Sequence, residues 1–281
     1  MAYMIFLKIL LPVAFFVIGA IFASFSNMLM YRFANHKPII KDSRSYCPKC
    51  NHQIAWYDNI PLISFLVLRG KCRHCHEKIS PRYFIVELYG GVSFEVFYFL
   101  YLCLYPTKSF ELSTNIYDFI NAVTIAFTLL FLLVCAYVDK HTQEVPISMM
   151  ITLLVLAVTN YVFLWIYSGF NLNHLLSFVV PAGLLLIVYF VSVILLIVEP
   201  IGLADIILFS ILGLLGGAIN LLMIVLFSSL ICSIVEIIKI KKTGEKKPFP
   251  FVPYIYIGAL ISFLFTPLII EGYNALIGGI I

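Results

Sequence analysis

Four cysteines and three acids in this sequence have types and spacings that can do chemistry. Cys47-Pro48-Lys49-Cys50 and Cys72-Arg73-His74-Cys75 are two CxxC pairs separated by 21 residues. Each pair can present two thiolates from one tight turn, and the two together can enclose a single tetrahedral ion, zinc above all. Four thiolates leave no open coordination position, so such an ion is expected to be structural. Disulfides are the competing account, and His74 and His76 are residues that could replace a thiolate. Asp139 closes an apolar run and precedes Pro146. Asp205 follows Gly202-Leu203-Ala204, and Glu199 stands just ahead of that stretch. Two aspartates held close together can divide acid and base work on a peptide bond. One activates water while the other protonates the carbonyl or the leaving amine. Gly202 and Ala204 are small enough to let backbone and substrate approach Asp205. The competing account is that these acids merely mark the ends of membrane spans.

The elements that must position these groups follow from composition. Of 281 residues, 62% are hydrophobic and only 11% charged, less than half the charge of an average soluble domain. That supply cannot cover a soluble core, so the chain is expected to be an all-α polytopic membrane protein. Apolar runs cover roughly 4–31, 84–105, 118–138, 147–168, 175–198, 206–217, 219–238 and 251–271. At about 20 residues per crossing, they predict about eight transmembrane helices. The stretch 206–238 is expected to break near Gly213, Gly216, Gly217 and Asn220.

Charge placement sets the orientation. Ten of the eighteen Lys and Arg lie between Arg32 and Arg82, one is Lys140, and five lie between Lys239 and Lys247. By the positive-inside rule these segments are cytoplasmic and both termini are outside. Asp139, Glu199 and Asp205 then fall at the cytoplasmic edge of the bilayer. The first run is expected to remain as an uncleaved span, because cleavage would send the basic, thiol-rich segment outside. The expected organisation is a first helix over 1–31, a cytoplasmic four-cysteine zinc-binding module over 32–82, and a membrane peptidase-type domain over 83–281. A module of that size lacks a sufficient core, so a metal staple is expected within a zinc-ribbon-like insertion. The cytoplasm is reducing, which disfavours disulfides there.

Three further features read as scaffold. Asn27 and Arg32 are expected to anchor the first span to the module. Glu87 is expected to pair with Arg82 or to hydrogen-bond between helices. Trp56, Tyr57 and Asp58 form a short turn. The Lys239–Lys247 cluster lacks aromatic interleaving and a groove, so no nucleic-acid partner is expected. Two other function classes remain at this point. A proton-coupled transporter would use Asp139, Glu199 and Asp205 as a relay. A non-catalytic docking protein would use the cysteine module to bind a partner.

The residues also resemble a family, the bacterial type IV prepilin peptidases, which are integral-membrane aspartyl proteases of the GxGD type. The resemblance runs through Arg44-Ser45-Tyr46-Cys47-Pro48-Lys49-Cys50 and Ile54-Ala55-Trp56-Tyr57-Asp58-Asn59-Ile60-Pro61-Leu62. It continues through Leu68-Arg69-Gly70-Lys71-Cys72-Arg73-His74-Cys75, Ile79-Ser80-Pro81-Arg82-Tyr83 and Val86-Glu87-Leu88. Asp139 with Pro146 resembles the first catalytic motif. Glu199 with Gly202-Leu203-Ala204-Asp205 resembles the second, Ala204 replacing a glycine and Ile207 a frequent basic residue. Pro250-Phe251-Val252-Pro253-Tyr254 is similar to a PFGP-type segment, with Val252 at the glycine position.

The resemblance implies that Asp139 and Asp205 are catalytic and that Gly202, Ala204 and Glu199 support them. It implies prepilin or pseudopilin substrates, cut after a glycine at the cytoplasmic face of the inner membrane. It also implies methylation of the new N-terminus from S-adenosylmethionine. No Gly-rich strand-to-helix fingerprint is present, so that donor is expected in the cytoplasmic module or between it and the spans. Trp56, Tyr57 and Asp58 are candidates for stacking and ribose contacts, a structural role for their turn being the preferred reading, and the binding residues stay unknown.

Overall fold

The computed structural model describes residues 10–39, 45–100, 112–196, 202–244 and 249–278. Among them are eight α-helices: α1 Leu11–Ala34, α2 Ile63–Val67, α3 Pro81–Tyr98, α4 Leu112–Thr142, α5 Ile147–Ser168, α6 Leu172–Leu196, α7 Leu203–Thr243 and α8 Val252–Gly278. The chain forms two compact units, Met1–Tyr105 and Pro106–Ile281.

In the first unit, α1 and α3 pack against each other. Pro12 starts α1 and Pro81 starts α3, each in the first turn, where a missing N–H leaves no helical bond unmade. Ser80 caps α3 by accepting the Arg82 N–H. The two helices run antiparallel. The Asn27 amide donates to the Tyr83 carbonyl at 3.1 Å, and the rings of Phe15 and Tyr98 lie 5.1 Å apart at the other end. Between these contacts the backbones meet at Gly19 and Gly90, where a Cβ on Gly19 would collide with the Gly90 carbonyl oxygen. Small residues permit such close approach where helices pack without a hydrophobic driving force.

Between α1 and α3 lie two similar turns. In the first, the Cys47 N–H donates to His52 O and the Asn51 N–H to Cys47 O; in the second, Cys72 donates to Glu77 O and His76 to Cys72 O. Asn51 and His76 occupy the same left-handed position, each with φ 56°. Tyr46 with Gln53, and Lys71 with Lys78, form isolated β-bridges. There is no sheet among the described residues, so the expected zinc-ribbon-like insertion is corrected. The residues between the turns form a 3-10 turn, Trp56–Asn59, and the short helix α2 instead of strands.

The second unit packs α4 against α5 and α8, α5 against α7, α6 against α7, and α7 against α8. The α4–α5 seam is tied by Asn160, whose amide donates to Asn121 Oδ1 at 3.0 Å and to Thr124 Oγ1 at 2.7 Å.

Helix α7 is 41 residues long and breaks at Gly217, with φ 73° and ψ −175°. The break turns the element back on itself. Phe209, before it, lies 6.1 Å ring to ring from Phe251 at the start of α8. Glu236, after it, accepts the Tyr254 hydroxyl at 2.6 Å, again at the start of α8. Asn220, beside the break, meets Ser262 further along α8. A continuous helix would bond the Ala218 N–H to the Leu214 carbonyl. At the break the His174 ring Nδ1 lies 2.9 Å from Leu214 O, and the Ala218 N–H donates to Asn173 Oδ1 at 3.3 Å. Two side chains of α6 thus satisfy the backbone groups that the break releases, as a low-dielectric surrounding requires.

The expectation of about eight transmembrane helices is also corrected. Five described helices are long and apolar enough to cross a bilayer: Leu11–Ala34, Ile116–Thr142, Ile147–Ser168, Leu172–Ile194 and Leu203–Thr243. The run at 84–105 falls on α3 as far as Tyr98, a helix of 18 residues that carries Arg82, Glu87 and Glu95, and 101–105 lie outside the described residues. The run at 251–271 falls on α8, whose described apolar stretch is Val252–Thr266. The runs at 206–217 and 219–238 share one helical element despite the Gly217 break. The all-α, multi-pass membrane character stands.

Candidate functional site

Asp139 sits in the last turn of α4, where the apolar helix meets its first polar residues. Its side chain is buried, yet Oδ2 accepts the Val252 N–H at 3.0 Å, and the Phe251 amide hydrogen-bonds the same carboxyl. These are unsatisfied amides at the start of α8, where helix dipole and free N–H groups both favour an acid. The Phe251 carbonyl in turn accepts from Tyr254 and Ile255, opening α8.

Asp205 lies in the first turn of α7, with Gly202 as N-cap. The Gly202 amide bonds to its carboxyl, one half of a capping box. A Cβ on Gly202 would stand 3.1 Å from Asp205 Oδ2, so glycine keeps that flank clear. Ala204 is half-buried beside it. The carboxyls of Asp139 and Asp205 are within electrostatic reach of each other. The structure therefore brings together Asp139, Asp205, Gly202 and Ala204. Glu199 lies outside the described residues.

The Phe251 and Val252 amides, flanked by Pro250 and Pro253, are part of the site without being legible as such in the sequence. Backbone donors carry no side-chain signature. An ion pair of Lys239 with Glu236, 2.5 Å apart, holds the Tyr254 hydroxyl near the same end of α8. That grouping was hidden by distance along the chain.

In the first unit the Sγ atoms of Cys47, Cys50, Cys72 and Cys75 all lie within 4.8 Å of one another. Those of Cys47 and Cys75 are 3.8 Å apart. Zinc–sulfur bonds of about 2.3 Å at tetrahedral angles need about 3.8 Å between sulfurs. All four are free thiols, and neither His74 nor His76 belongs to the cluster; His74 stacks on His52 instead, with centroids 3.4 Å apart. The backbone N–H groups of Cys75 and then His74 hold the Cys72 thiol down to about 7, so a thiolate is available near neutral pH. The cluster is capable of holding a metal ion.

The turns are buttressed by side chains. Arg73 makes a paired contact with Asp58, at 2.8 and 2.5 Å, and lies over the Tyr57 ring. The guanidinium holds the Asp58 carboxyl below its usual range. Arg32 donates to the carbonyls of Pro38 and Ile39, anchoring the end of α1. Glu87 accepts the Leu62 N–H at 2.8 Å. Asn27 bonds to α3 and not to the module.

Apolar crossing helices, a four-thiol module and a carboxylate pair at helix ends define a polytopic membrane protein of the aspartyl-protease type. Residues 17–101 match the model of the bacterial peptidase A24 N-terminal domain, and residues 126–237 that of the type IV leader peptidase family. The chain is 31% identical over 236 residues to a prepilin leader peptidase/N-methyltransferase of Stutzerimonas stutzeri, covering 82% of this chain and 74% of that protein. It is 30% identical over 243 residues to the protein of that name from Aeromonas salmonicida, with 82% and 74% covered. The protein of that name from Vibrio cholerae serotype O1 matches at 50% over 84 residues, spanning 27% of this chain and 33% of that protein. No solved structure matches. The chain belongs to the type IV leader peptidase family.

Proposed function

We propose that this chain is a membrane aspartyl endopeptidase of the inner membrane that removes the short basic leader of type IV prepilins or pseudopilins, after glycine and at the cytoplasmic face. The observation that carries this reading is the approach of Asp139 and Asp205, each fixed by backbone amides, at the ends of two membrane helices. One carboxylate takes a proton from the attacking water. The other, as the acid, hydrogen-bonds the scissile carbonyl and then protonates the leaving amine. The Val252 and Phe251 amides orient Asp139, while Gly202 and Ala204 leave room for the substrate backbone beside Asp205. Glu199 is assigned a supporting role. The clustering of Lys and Arg over 32–82, at Lys140 and over Lys239–Lys247 assigns the module and both aspartates to the cytoplasmic side. The fold-back of α7 agrees with this, since it returns Lys239 to the end where Asp205 lies.

The four thiols are proposed to hold one zinc ion, which would brace the two turns and take no part in hydrolysis. N-methylation of the new N-terminus is proposed as the second activity, in keeping with the relatives' names. S-adenosylmethionine, when bound, supplies an electrophilic methyl group to that amine. A cavity of about 940 Å3 between α1 and the turns has the room, and its walls include Tyr31, Tyr46, Tyr83 and Glu77. Aromatic faces and an acid suit an adenine ring and a sulfonium cation.

The test is intact-mass analysis of a prepilin incubated with the bilayer-reconstituted chain and S-adenosylmethionine, alongside Asp139→Asn and Asp205→Asn. Leader loss with the native chain alone, followed by an added methyl mass, is expected. Leader loss unchanged in both variants would overturn the dyad.

A further inference from the structure

The short helix α2 and the turn before it carry a set of side chains that the peptidase reading does not use. Trp56 is 80% exposed, Ile63 58%, Leu66 63% and Val67 68%. So dense an apolar patch, if it faced water, would be an association site or a liability. Its place along the helix pair points to a different surrounding.

Leu62, the residue that opens α2, is fixed by Glu87, and Glu87 also hydrogen-bonds Ser24 on α1. Arg82 and Arg32 are the charged residues nearest the ends of α3 and α1. Glu87 lies five residues beyond Arg82, about 7.5 Å along α3, and Ser24 lies eight residues before Arg32, about 12 Å along α1. Both contacts therefore set the start of α2 on the bilayer side of the two arginines. The chain leaves α1, forms the first cysteine turn, and then dips back alongside the helices it came from. Leu62 is held there at φ 62°, a left-handed conformation that a leucine rarely adopts.

The patch also continues an apolar surface of the same unit. Ile85 on α3 is exposed at the same level. Helix α1 is itself apolar and long enough to cross a bilayer. Arg69 and Lys71 follow α2 directly, as cationic residues do at the rim of an interfacial segment facing acidic headgroups. A tryptophan at such a level matches the interfacial preference of indole.

We infer that residues 56–67 insert into the cytoplasmic leaflet as an interfacial anchor, with Trp56, Ile63, Leu66 and Val67 among the acyl chains. The cysteine module is thereby seated on the membrane and not suspended above it. This inference rests on the membrane character of the chain and is independent of the peptidase reading.

The chain has two tryptophans, so Trp165→Phe leaves Trp56 as sole reporter. That variant is reconstituted in vesicles of phosphatidylethanolamine and phosphatidylglycerol, with and without brominated acyl chains. Expected are blue-shifted emission, a several-fold loss of intensity in the brominated vesicles, and weak quenching by iodide. Adding Leu66→Asp and Val67→Asp is expected to abolish the bromolipid quenching while circular dichroism and detergent-solution size stay native. Emission quenched by iodide and unaffected by brominated lipid would overturn the inference. Blue-shifted emission unaffected by either quencher would overturn it too, by showing that protein covers Trp56.

Discussion

The amide of Val252 lies 3.0 Å from Oδ2 of Asp139, joining residues 113 positions apart in the chain. The last turn of α4 and the first turn of α8 therefore share one buried acid. Replacing Val252 by proline removes this donor while keeping a residue suited to a first helical turn. A hydrogen bond to a charged group is worth about 1.5–3 kcal/mol. Cleavage by Val252→Pro is expected to fall by about 10- to 100-fold at near-native expression, read from initial rates on a prepilin.

Removing either carboxylate is expected to be more severe. General acid or base groups contribute about 10²–10⁴-fold, so Asp139→Asn and Asp205→Asn should each lose at least that much turnover. Circular dichroism and detergent-solution size should stay native. A variant retaining more than about a tenth of native turnover would contradict the assigned roles.

Gly202→Ala tests the cleared flank of Asp205, because its Cβ would stand 3.1 Å from the carboxylate oxygen. Turnover should fall several-fold with little change in thermal midpoint. Ala204→Gly enlarges the same space and should cut at the native rate or faster. Parallel rate and melting measurements on the two variants check this.

Metal content should follow thiolate supply. Protons compete with a metal for thiolates, and Cys72 titrates at about 7 while burial and the neighbouring thiols push Cys75 up, so affinity is expected to weaken steadily as pH falls, with no levelling off just above 7. Zinc titration on both sides of that pH, read by mass spectrometry of the protein, checks the direction. Cys47→Ser should lose the ion and expose the turns to trypsin, as should strong chelation of the native chain. Unchanged zinc content in a variant lacking all four thiols would remove the metal assignment.

Glu87→Ala should release the start of α2. The Leu62 amide loses its acceptor, for which about 1–3 kcal/mol is expected, and the strained backbone there loses its restraint. Faster tryptic cleavage after Arg69 than in the native chain is the readout.

The sequence carried the membrane character, the thiol cluster and the carboxylate pair, because each depends on residue type at short spacing. Asp139 with Pro146, and Gly202 with Asp205, are local patterns, and the structure keeps them local. What it did not carry depends on partners far along the chain. Glu87 was expected to pair with Arg82 or to hydrogen-bond between helices, and it does bond Ser24 on α1; its second contact, with the Leu62 amide, is one that no side-chain pattern announces. The Val252 and Phe251 amides were invisible for the same reason. Counting apolar runs gave more spans than the five described helices that qualify, since a run can lie on a helix that carries three charges, as α3 does. The region of the Gly217 break was legible from clustered glycines. His174 and Asn173, which close it, were not.

That break also has a bearing on how the chain can be threaded through a bilayer. An element that reverses at its middle delivers the chain back to the compartment from which it entered. Helix α7 is in this sense neutral in parity: the connection before it and the connection after it face the same aqueous phase. Whatever side presents Asp205 to a substrate also presents the lysines that close the element. The two cannot be separated by sliding or tilting a single rod, because the reversal at Gly217 ties them together.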